Sequence, residues 1–160
     1  MTDDYPTCAE TYVTLRIYHD ASDPALVTQT LDLEPTDFQV VGSTYEHRGK
    51  TRTYQISGWF LCSKKFVESY DSAKHLDWLL ARIEPSQPAI KELRAQGWRL
   101  DIACLWDSDF GHGGPTLSPV LLQRLAAAGV ELSFDVYFRG AYVQIRNQKK
   151  ITSQGPGEKP

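Results

Sequence analysis

Cysteine, methionine and histidine are scarce in this chain: three, one and four among 160 residues. The cysteines, Cys8, Cys62 and Cys104, are odd in number and form no CxxC pair. That excludes a disulfide framework and the usual zinc spacings, and reduced thiols in a cytosolic protein are the expectation. No apolar run approaches the roughly 20 residues that span a bilayer, and no apolar segment opens the chain, so neither a membrane anchor nor an export signal is expected. A basic excess is also missing. Seventeen Lys and Arg face twenty Asp and Glu, for a net charge of −3, which argues against a nucleic-acid partner. There is no internal repeat and no low-complexity tract.

What is present is a globular composition, 41% hydrophobic and 23% charged. A chain of this length buries roughly 70% of its unfolded surface and needs no metal or disulfide staple. Three segments are expected: a polar leader at 1–11, one domain at 12–146 and a flexible polar tail at 147–160. "YVTLRIYH" alternates Val13, Leu15 and Ile17 with polar or aromatic residues, the period of a half-buried strand. Asp23 and Pro24 open a short helix with Leu26, Val27 and Leu31 on its apolar face. Phe38 to Val41 reads as a short strand, and the basic "HRGKTR" at 47–52 as a solvated hairpin and its flank, with an anion- or acidic-partner-binding face as the alternative. Thr53 to Ser63 reads as a longer strand with Tyr54, Ile56, Phe60 and Cys62 sharing its apolar face.

Leu76, Leu79, Leu80 and Ile83 form the clearest helical stripe, within Ser72 to Glu84. A second helix follows Ser86, with Ile90 and Leu93 inward and Gly97 closing it. Trp98 to Trp106 is a strand that places Cys104 with Leu100 and Ile102 as a core thiol. His75 is expected on the helix surface or flank, and His19 and His47 have no partner at informative spacing. Leu121, Leu122, Leu125 and Ala126 mark a helix capped by Ser118 and closed by Gly129. Val130 to Phe138 is the cleanest alternating strand, and 141–145 either extends it or turns back as a hairpin. Strands and helices interleave. The expected fold is therefore α/β (α+β): a two-layer sandwich with a mixed, mainly antiparallel sheet of about five strands and helices packed on one face.

One stretch stands apart. "WDSDFGHGGPTLSP", Trp106 to Pro119, sets two carboxylates, an imidazole and three glycines between a strand and a helix. Asp107, Asp109 and His112 are oxygen and nitrogen donors of the kind divalent ions take, but their spacing matches no established metal loop, and no metal is expected. Glycines before a helix N-terminus can present N–H groups to an anion. The stretch is neither a Walker loop nor a GxGxxG fingerprint, so no cofactor is expected, and glycine is also the ordinary answer where φ must be positive. The candidate ligand- or partner-binding residues are Trp106, Asp107, Asp109, His112, Gly113, Gly114 and Ser118. Trp59 and Trp78 fall off the apolar stripes and are candidate interface anchors, unless a second covered face or a wide stripe buries them. No catalytic residue is identified.

Taken together, "LRIYHD" with "DPALVTQTLDLEPT", "HLDWLLARIEP" and the run from Trp106 to Phe138 resembles a bacterial domain-of-unknown-function family, DUF4279, over about Tyr12 to Phe138. The resemblance implies a compact α/β domain of the bacterial cytoplasm. By association with toxin systems it also implies an immunity-type role. It transfers no catalytic residue. The functional expectation is a non-enzymatic protein-binding module, with a cognate toxin as the specific form of partner. The alternatives are an enzyme or small-ligand domain built on Asp107 to His112, and a homodimer subunit paired through an exposed sheet edge.

Overall fold

A computed structural model describes residues 5–138. Its main sheet has five strands in the order β2-β5-β1-β6-β7: β1 Cys8–His19, β2 Asp37–Gln39, β5 Ser57–Cys62, β6 Arg99–Ser108 and β7 Glu131–Phe138. A separate hairpin pairs β3 Thr44–His47 with β4 Lys50–Thr53. Every pairing is antiparallel except β6 with β7. The helices are α1 Ala25–Leu31, α2 Ser72–Ile83, α3 Gln87–Ala95 and α4 Pro119–Ala128. All four contribute to one core against one face of the sheet, giving the mixed, mainly antiparallel two-layer sandwich expected from the alternation of elements. No helix among the described residues is long and apolar enough to cross a membrane.

β1 lies at the centre. Its inward residues Val13, Leu15 and Ile17 are fully buried. Leu15 lies opposite Leu61 on one side and Ile102 on the other, and Ile17 opposite Trp59 and Leu100. The strand starts four residues earlier than its alternation suggests, because β6 continues to Ser108 and offers partners as far as Cys8. A register shift between Cys8 and Glu10 turns Cys8 inward, where it is buried. The expected polar leader is thus strand from Cys8 onward. Burial pushes the Cys8 thiol up to about 11 and the Cys104 thiol upward as well, so neither is a ready nucleophile.

β5 corrects the expected face. The apolar set Tyr54, Ile56, Phe60 and Cys62 does not face the core. Ser57, Trp59 and Leu61 do, because pairing with β1 aligns Trp59 and Leu61 with Ile17 and Leu15. Gly58 lies on the opposite face, where the Phe60 ring folds back to 2.6 Å from the position a Cβ on Gly58 would take. The basic "HRGKTR" forms the tip of the β3–β4 hairpin, turning through Arg48 and Gly49 at φ 50° and 70°, the both-positive geometry of a two-residue hairpin loop. Residues 141–145 and the tail at 147–160 lie outside the described residues.

α2 and α4 are clamped by charge as well as by apolar packing. Arg124 Nε donates to Glu84 Oε1 at 2.7 Å and Nη2 donates to Oε2 at 3.2 Å, while Nη1 reaches Asp77 Oδ1 at 2.5 Å. Arg124 holds the Glu84 carboxyl below its ordinary value of 4.5. A carboxyl lowered in the folded state stabilises above its unfolded pKa, and that contribution disappears as pH falls through the folded value. Glu84→Gln is expected to lower unfolding stability at pH 7 by about 0.5–1 kcal/mol, the range for a partly exposed pair. Urea titrations of both proteins should converge as the pH is taken below the carboxylate range.

Candidate functional site

β6 and β7 are parallel, so the chain must leave one end of β6 and return to the opposite end of the sheet before β7 begins. The glycine-rich loop and α4 make that crossover. The structure places the loop at residues 109–118, since Asp107 and Ser108 belong to β6. Its start is tied down by Ser108, which is fully buried. Ser108 Oγ donates to the His112 carbonyl at 2.8 Å and accepts the Gly111 N–H at 3.0 Å. Its end is tied by Ser118, whose Oγ accepts the Leu121 N–H at 3.2 Å as the N-cap of α4.

The first described residues brace the loop from beside it. Asp109 N–H donates to the Thr7 carbonyl at 3.1 Å, and Thr116 N–H to the Tyr5 hydroxyl at 3.1 Å. The Tyr5 ring meets Trp106 edge-on, with centroids 5.4 Å apart. Gly113 has φ +82°, and a Cβ there would stand 2.5 Å from Thr7 Oγ1. Gly111 also has a positive φ, 74°, and its Cβ direction points to Phe138 at 3.9 Å. Gly114 has open space around it.

The sequence-derived site residues therefore divide. Trp106 is fully buried, and its indole N–H meets no acceptor among the described residues. Asp107 is half-buried, Asp109 and His112 are exposed, and the His112 ring stacks on Phe110 at 6.1 Å. Among the described residues no three His, Cys, Asp or Glu side chains gather closely enough to hold a metal ion. Phe110, which the sequence reading passed over, is 67% exposed at the loop tip. Beside it β7 presents Phe134, Val136 and Phe138 on the helix-facing side of the sheet. All three are exposed, because the helices stop covering this edge after Leu132, which still packs on the core. Among the described residues β7 is an edge strand of the sheet.

The two candidate anchors are not free. Trp59 is wholly buried, and its Nε1–H donates to Thr28 Oγ1 at 3.0 Å; alignment with Ile17 puts it in the core rather than on a partner. Trp78 is half-buried, stacked on Phe66 at 5.1 Å with the Arg82 guanidinium 3.9 Å from its ring centroid.

A second arrangement was not visible in sequence. His75 is buried, not on the surface or flank of α2. Its Nδ1 lies 2.7 Å from Ser63 Oγ, and its Nε2 lies 3.0 Å from the Ser69 carbonyl. A carbonyl only accepts, so Nε2 carries the proton and Nδ1 accepts from the Ser63 hydroxyl. Ser63 also accepts the Val13 N–H at 2.9 Å. Hydroxyl against imidazole is the pairing of a nucleophile and its base. Here both side chains are sealed in the core, so the pair joins β1, the turn after β5, and α2 rather than meeting a substrate.

No curated protein and no solved structure matches the chain. Residues 9–139, from β1 to the end of β7, match the family described as "Domain of unknown function (DUF4279)", and the chain belongs to that family.

Proposed function

We propose that this domain is a non-enzymatic protein-binding module, and that its contact surface is the tip of the glycine-rich loop together with the β7 edge. The observation that carries the reading is the row of exposed apolar side chains Phe134, Val136 and Phe138 along β7, with exposed Phe110 next to Gly111, whose Cβ position lies 3.9 Å from the Phe138 ring. Patches of this kind on a protein surface mark interaction sites, and aromatic residues are enriched at the centres of interfaces. In this reading Gly113, Ser118 and buried Trp106 hold the loop rigid, Gly114 leaves the surface beside it open, and exposed Asp109 and His112 supply polar groups on either side of Phe110 in the loop. A pre-set loop loses little entropy on binding, which favours recognition over chemistry. The three unpaired thiols suit the reducing cytoplasm.

The test is affinity capture from the native lysate. The bait is the full chain, a Phe110→Ser/Val136→Ser variant, or a control variant, Leu26→Ser, changed on α1. One protein should be recovered in near-stoichiometric amount by the wild type and the control and lost with the double variant. Recovery by the double variant, or none by the wild type, removes the reading. The finer expectation, a toxin as partner, requires that the recovered protein inhibit growth when produced alone.

A further inference from the structure

A different surface lies at the opposite edge of the sheet. Between α1 and the short edge strand β2 is a pocket of about 250 Å³. Phe38, Pro24 and Pro35 give it apolar walls above the buried Trp59, and Asp23 and Glu34 contribute carboxylates. We propose that this pocket is a socket for a lysine or arginine side chain of a basic protein segment.

The first argument is charge. From residue 17 to residue 47 the chain carries six carboxylates and no lysine or arginine. Among the described residues no cation lines the pocket. Asp20, just before it, is neutralised by Arg99 at 2.9 Å, whereas neither Asp23 nor Glu34 is ion-paired among the described residues. Asp23 Oδ1 accepts the Ala25 N–H at 2.8 Å, so among the described residues its second oxygen and both of Glu34 are left for a ligand. An anion is repelled from this pocket, and a neutral apolar ligand would strip water from carboxylates without compensating them.

The second argument is shape. Phe38 pairs with Trp59 across the β2–β5 ladder, on the side that faces the helices, yet its ring is 60% exposed. It stands as an open aromatic wall beside prolines that cannot move away. A lysine or arginine has the matching construction: an aliphatic stem that packs on such walls and a charged head that reaches the rim. A cation also gains from the face of an aromatic ring, and a guanidinium can bridge carboxylate oxygens with two hydrogen bonds.

The proposal is independent of the β7 patch, and its test uses small probes on the intact chain. Acetyl-Gly-Arg-Gly-amide is titrated into ¹⁵N-labelled protein alongside the same peptide carrying citrulline, the neutral isostere of arginine. The arginine peptide should shift the Trp59 indole N–H and the Thr28 and Phe38 amides saturably. The citrulline peptide, and an Asp23→Asn/Glu34→Gln variant titrated with the arginine peptide, should each bind about tenfold more weakly, the scale of two exposed ion pairs. Asparagine keeps the cap on Ala25, so the remaining spectrum of the variant reports that it is folded. Equal binding of citrulline, unchanged binding by the double variant, or no saturable shift at the Trp59 indole overturns the proposal.

Discussion

His75→Ala is expected to be among the most destabilising single substitutions in the chain, costing about 3–5 kcal/mol, the sum of a buried cavity and lost buried hydrogen bonds. The imidazole is sealed between α2 and the turn after β5 and serves both: it donates to the Ser69 carbonyl and accepts from Ser63. Ser63 in turn satisfies the Val13 N–H of the central strand. Truncating the ring leaves the half-buried Ser69 carbonyl without this donor. Ser63→Ala is expected to cost less, about 2–3 kcal/mol, because it removes little volume but leaves a backbone N–H and a ring nitrogen without their partner. The two losses share one hydrogen bond, so the double variant should fall short of their sum by about 1 kcal/mol or more. Urea unfolding of the four proteins measures this directly. Strict additivity would show that the hydroxyl and the ring act independently, contrary to the 2.7 Å contact.

Neither half of that pair could be found from the sequence, and the reason is general to this fold. Elements with local punctuation were legible. α4 is bounded by Ser118, Pro119 and Gly129, each of which acts within a turn of the chain, and the structure uses all three as read. The stripe on α2 was legible for the same reason. What could not be read depends on partners far away in sequence. His75 precedes Leu76 on the helix, and its burial is set by groups on the preceding turns. Tyr54, Ile56, Phe60 and Cys62 are as apolar as Trp59 and Leu61, so alternation alone could not say which side of β5 meets the helices. Pairing with Leu15 and Ile17, more than forty residues away, decides it. Cys8 lies among polar neighbours in sequence, and it is buried because β6 runs on to meet it. The loop was legible as a composition and as a place. Its bracing by Tyr5 and Thr7, and the exposure of Phe110, follow only from the crossover that β6 and β7 impose.

That bracing makes a second large effect measurable. Gly113→Ala is expected to cost about 2–3 kcal/mol, from two separable sources. At φ +82° an L-side chain pays about 1–2 kcal/mol of backbone strain wherever it sits. The remainder comes from Thr7, whose Oγ1 and Cβ would lie 2.5 and 2.9 Å from the new methyl group. Thr7 cannot simply swing away with its backbone, because its carbonyl holds the Asp109 N–H and the following strand pairs from Cys8 onward. Thr7→Ala removes the nearest atom and leaves the φ unchanged. In that background Gly113→Ala should cost only the strain, about 1–2 kcal/mol. Gly114→Ala, with no atom within 4 Å of its Cβ position and no positive φ, should cost little and serves as the control one residue away. If all three alanines were equally mild, the loop would not be seated on the first strand, and the rigid platform assumed for the Phe110 surface would be lost with it. If Gly113→Ala alone is severe and Thr7→Ala relieves it, the composition of this crossover is explained by packing, with residues 5–7 acting as its brace.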